Sequence, residues 1–114
     1  MSVYLISVLT FFSYTAFSTE QLYHFIYFGK NREGIKHEGF LKATQIEGAQ
    51  LMYSWNALEK AENKYDFTEI EKDLKFLKDK KKKLFIQLQE TTFEKKYIAV
   101  PKYILMDHRY HGGV

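Results

Sequence analysis

Apolar residues fall along this chain in short bursts separated by polar stretches, and the period within each burst assigns it to a strand or a helix. Leu22 to Phe28, LYHFIYF, is aromatic and β-branched, stops at Gly29 and predicts a strand. Gly29 to His37 is polar, carries two glycines and predicts a loop. From Glu38, EGFLKATQIEG sets Phe40, Leu41, Ala43 and Ile46 on one helical face, with Gly48 suited to the left-handed residue after a helix end. Ala49 to Trp55, AQLMYSW, again predicts a strand. The next helix starts near a capping box, either Thr68 with Glu71 or Asp66 with Glu69. Ile70, Leu74 and Leu77 form its apolar stripe, and Glu71, Lys72, Lys75 and Lys78 its wet side. Lysines gather from Lys78 to Lys83, where positive charge favours a helix C-terminus, and Leu84 to Gln89, LFIQLQ, predicts a third strand. A loop with Pro101 follows, and the last residues are HGGV.

Strand, helix, strand, helix, strand is a βαβαβ pattern, with each helical segment long enough to cross between neighbouring parallel strands. The expected fold class is α/β with a parallel sheet, either an open doubly wound sheet or part of a (β/α)8 barrel. GKNREG, after the first strand, has neither the G-x-G-x-x-G spacing nor a Lys-Ser/Thr end, which argues against a nucleotide-binding sheet.

At 114 residues the chain holds one domain at most. Seventeen Lys and Arg against 14 Asp and Glu leave a net charge of +3, which permits nucleic-acid contact without arguing for it. With no cysteine, disulfide frameworks and thiolate zinc sites are excluded. Residues 1 to 18, MSVYLISVLTFFSYTAFS, carry no charged side chain and are too short to span a bilayer comfortably. Ala16 and Ser18 fit a signal-peptidase pocket, so a signal peptide cleaved before Thr19 is expected, although no Lys or Arg marks its start. A buried first strand or an uncleaved anchor is the competing reading. The expected location is secreted or extracytoplasmic, with no stable membrane span.

The stretch WNALEKAENKYDF, residues 55 to 67, carries the most chemistry. Preceded by IEGAQLMYS and followed by a capped helix and LFIQLQ, it resembles the second βα unit of barrel glycoside hydrolases of the β-galactosidase and related retaining type. The positions that match are Trp55, Leu58, Glu59, Tyr65, Asp66 and Phe67, without a gap. The wider likeness runs from about Gly39 to Leu105 and includes Val100-Pro101 and Tyr103-Ile104-Leu105. Lys60 stands where the family usually has Pro, and Asn63 where it usually has Gly; Asn tolerates the same left-handed backbone.

The resemblance implies a partial (β/α)8 TIM barrel made of the first three βα units with parallel strands. Residues 19 to 114 would then be an incomplete glycoside hydrolase-like domain, the N-terminal fragment of a secreted enzyme. Ligands meet a barrel at the C-terminal strand ends, which nominates Tyr53, Trp55, Gln89 and Glu90 for substrate binding, with Ser54 and Gln87 nearby. An aromatic face suits the C–H face of a sugar, and Gln and Glu bond its hydroxyls. Glu59, Tyr65, Asp66 and Phe67 are expected to be structural, Glu59 as an acceptor of buried donors.

Glycoside hydrolysis needs two carboxyl groups. In the family both come from the fourth and seventh strands, and a whole barrel takes about 250 residues. No catalytic residue is therefore expected here, and the chain alone is expected to be inactive. Carbohydrate is the expected ligand and the remainder of a barrel the expected partner, with no cofactor and no metal; His108 and His111 read as surface residues. Two other readings compete: a non-catalytic secreted glycan-binding module acting through Trp55, and a nucleic-acid binder gripping phosphate with KDKKKK, for which a solvated helix end is the simpler account.

Overall fold

The protein is described by a computed structural model covering residues 20 to 111. The expected signal peptide lies outside the described residues. Three strands, β1 (Phe25–Gly29), β2 (Gly48–Ser54) and β5 (Lys83–Gln89), form one sheet in the order β1-β2-β5, and both pairings are parallel. The fold is therefore mixed α/β on a parallel sheet. Between β1 and β2 lie a 3-10 helix, Arg32–Lys36, and α1 (Glu38–Lys42). Between β2 and β5 come α2 (Trp55–Leu58), an antiparallel hairpin of β3 (Glu59–Ala61) and β4 (Lys64–Tyr65), and α3 (Thr68–Asp79). After β5 follow α4 (Lys102–Met106) and a 3-10 turn, His108–Tyr110.

Strand residues alternate between the two sheet faces, and the core lies on one of them. Ala49, Leu51 and Tyr53 of β2 pack with Ile35, Phe40 and Leu77, and Ile26, Phe28 and Leu84 join from the flanking strands. Phe28 meets Phe40 edge to face, with ring centroids 5.2 Å apart. The opposite face carries Gln50, which donates to Gln87 at 2.8 Å, and Phe25, whose ring meets that of Phe85 at 6.1 Å. Tyr27 and Phe85 on this second face are 57% and 52% exposed.

Gly48 is the first residue of β2 rather than a helix cap, and it does not have a positive φ. A Cβ there would come within 2.0 Å of the Lys83 carbonyl oxygen, so the close approach of β5 is what requires glycine. The helix before it is correspondingly short, five residues, because Ala43 is already extended. On α3 the buried positions are Asp73 and Leu77, with Ile70 and Phe76 partly covered, whereas Leu74 is 47% exposed. A carboxylate thus holds the place on the inner face that the apolar stripe assigned to Leu74.

Asp73 can sit there because three donor groups meet it. Arg32 clasps it through Nε at 2.6 Å and a terminal nitrogen at 2.9 Å, and the Tyr53 hydroxyl donates to it at 2.7 Å. Arg32 also pairs with Glu69 at 2.7 Å. Burial, and then the bond to Asp73, push the Tyr53 phenol above its ordinary value, and the same carboxylate raises that of Arg32. Among the described residues no helix is long and apolar enough to cross a membrane.

Candidate functional site

At the C-terminal end of β2 the chain turns at once into α2, and then into the hairpin. The hairpin reverses over Glu62 and Asn63, with Asn63 left-handed at φ 58°. This backbone points the Asn63 N–H at Glu59 Oε1, 3.0 Å away. Oε1 also accepts from the Tyr103 hydroxyl at 2.9 Å, and Oε2 accepts from the Trp55 indole at 2.7 Å. Glu59 is 4% exposed, and these donors keep its carboxyl below the ordinary value, the Trp55 indole first and the Asn63 N–H next. Tyr103 is pushed up to about 12, by burial first and then by the neighbouring carboxylate. A carboxylate so enclosed is a hub for the loop: held ionised, it is a poor proton donor, and with both oxygens buried and taken by donors it is not free to attack a substrate.

The Tyr-Asp-Phe closure ties the hairpin to α3. Asp66 Oδ1 accepts from the Thr68 N–H at 3.0 Å, and its Oδ2 takes the Lys60 ammonium at 2.8 Å. Lys60 leads the causes that hold Asp66 below the usual carboxylate range. The residue at the helix N-cap is Phe67, which has no side-chain cap bond, so the bond to Thr68 comes from the position before it. Tyr65 and Phe67 stack at 5.9 Å with their planes 10° apart.

The segment after β5 folds back onto this loop. Asn56 donates its backbone N–H to the Ala99 carbonyl at 2.7 Å and its side-chain amide to that of Ile98 at 2.6 Å. Ala99 and Pro101 are buried, and Tyr103 is the second residue of α4. Together these contacts bring the C-terminal ends of β2 and β5 into one site. Lys30, just past β1, places its ammonium 3.6 Å from the Tyr97 ring centre, so the loop after β1 reaches the same edge.

The residues nominated for substrate binding take different positions. Trp55 is half-buried at the end of β2 with its indole engaged by Glu59. Gln89 ends β5 opposite Ser54, and its Oε1 is buried without a hydrogen-bond partner among the described residues. Glu90 is exposed at the mouth of a pocket of about 570 Å³. Tyr53 faces the helix layer, 3% exposed, and is turned away from the other three. Asn56 and Tyr103 are the members that sequence reasoning did not single out as contacts. Asn56 carries no signal in the sequence, and Tyr103 only its membership of the matching proline-aromatic segment.

The lysine run is divided among separate tasks. Lys81 is left-handed at φ 57°, and Lys82 is 9% exposed with its ammonium on the carbonyls of Ala43 and Ile46, both at 2.6 Å. Lys83 pairs with Glu47 at 3.1 Å. Among the described residues no group of three or more His, Cys, Asp or Glu is placed to hold a metal ion. In comparisons with known proteins, no family model, curated protein or solved structure matches the chain.

Proposed function

We propose that residues 19 to 114 form the first three strand-helix units of a (β/α)8 glycoside hydrolase barrel, exported from the cytoplasm, that supply sugar contacts and no catalytic carboxylate. One observation carries the reading. The two stretches that resemble the glycosidases, WNALEKAENKYDF and VPKYIL, hydrogen-bond to each other through Glu59 and Tyr103 at the C-terminal edge of a parallel sheet. That edge is where barrels and other parallel α/β folds receive ligands. The sheet face bearing Gln50, Gln87 and Phe85 is the one a closed barrel would turn inward, and its exposure fits a sheet awaiting further strands.

In this reading Trp55, Gln89 and Glu90 face substrate, and Tyr53 supports β2 from behind through Asp73. The unpartnered Oε1 of Gln89 is buried, and it accepts from a sugar hydroxyl once the side chain turns outward. The acid and the nucleophile come from further units. The coding sequence beyond Val114 tests this: strand-helix units with an Asn-Glu pair at the end of a fourth strand are expected, and unrelated sequence there overturns the reading. The pocket at the end of β5 favours a second reading, a glycan-binding module without catalysis, which sugar binding in the absence of further barrel units would select.

A further inference from the structure

The segment from Glu90 to Val100 has little regular structure, yet with Leu105 it lines the half-open pocket of about 570 Å³ at the end of β5. That volume is in the range of small-molecule sites, which pair apolar walls with a few placed polar groups. The walls are held from three directions. Asn56 fixes the carbonyls of Ile98 and Ala99, Lys30 covers Tyr97, and the Thr92 hydroxyl bonds the carbonyls of Glu94 and Tyr97 at 2.9 and 2.8 Å. A ligand entering such a pocket need order little of it.

Phe93 is fully exposed on the rim, whereas its neighbours Tyr97 and Ile98 are 37% and 38% exposed. Glu90, Glu94 and Lys95 also line the pocket, and none of the three forms an ion pair among the described residues. The two carboxylates accept hydrogen bonds from hydroxyl groups and the Lys95 ammonium donates to them, so the wall offers both halves of the pairing a hydroxylated ring needs. An aromatic face beside acceptor oxygens matches a ring that has C–H groups on its faces and hydroxyls around its edge.

We propose that this pocket is a subsite for an oligosaccharide, with Phe93 as the stacking platform and Glu90 and Glu94 as hydroxyl acceptors; it rests on the carbohydrate reading above. The full chain is titrated calorimetrically with cellotriose, xylotriose and galactotriose, alongside Phe93→Ala and Glu90→Gln, with circular dichroism to verify folding. Both substitutions are on exposed side chains, so the fold is retained. Saturable binding to at least one sugar is expected, weakened about tenfold or more by Phe93→Ala and less by Glu90→Gln. Binding that Phe93→Ala leaves unchanged overturns the subsite while the glycosidase reading stands. Absence of binding to all three sugars overturns the subsite too, and the coding sequence beyond Val114 still decides the glycosidase reading separately.

Discussion

Glu59 shows how one residue's role follows from its partners. In the sequence it is a glutamate at a motif position, expected to accept buried donors; in the fold it takes donors from Trp55, Asn63 and Tyr103. Each carboxylate oxygen accepts, so Glu59→Gln sets an NH2 group against at least one N–H or O–H donor and leaves that donor unpaired. The variant is expected to melt several degrees below wild type at pH 7. Because the folded carboxyl titrates below its ordinary value of 4.5, its contribution is complete above about that pH. It is lost as pH falls further through the folded pKa. The gap between the two melting curves should therefore narrow from pH 7 to pH 3; a gap constant across that range would remove the charged hub from the account.

Among the elements, α3 was the most legible and also the most instructive. Its start, length and amphipathic character follow from local spacing, and helix Thr68–Asp79 lies where the pattern sets it. The pattern ranked Leu74 above Asp73 because hydropathy treats a carboxylate as a surface group. Arg32 and Tyr53, 41 and 20 residues away in sequence, reverse that order by pairing Asp73 inside. Replacing a buried member of such a set leaves the others unpaired, so Asp73→Ala is expected to cost about 3 kcal/mol in urea unfolding. A loss below about 0.5 kcal/mol, the scale of an ordinary surface change, would contradict the burial of this network. The hairpin and α4 were illegible for a related reason. The hairpin is polar and α4, KYILM, is a mostly apolar run of five residues, too short to show a period, and Tyr103 is fastened by Glu59 from 44 residues away.

For the whole molecule, the sheet matters more than any single residue. Ile86 and Leu88 of β5 share the core face with Leu51 and Tyr53 by register, yet they are 47% and 57% exposed, and Phe85 stands open on the other side. Apolar surface beside a strand edge favours association. The chain is expected to show concentration-dependent light scattering that Leu88→Lys reduces, and a monodisperse wild-type monomer across the same range would argue against this. The alternation of apolar bursts sufficed for the parallel α/β class, the three strands to within a few residues, and the main helix, because these rest on periodicity and short-range backbone preferences. Which polar groups are buried, where Tyr53 and Gln89 face, and how the two strand ends share one site depended on the folded chain. Those properties arise from pairings between residues far apart in sequence, and local pattern carries no trace of them.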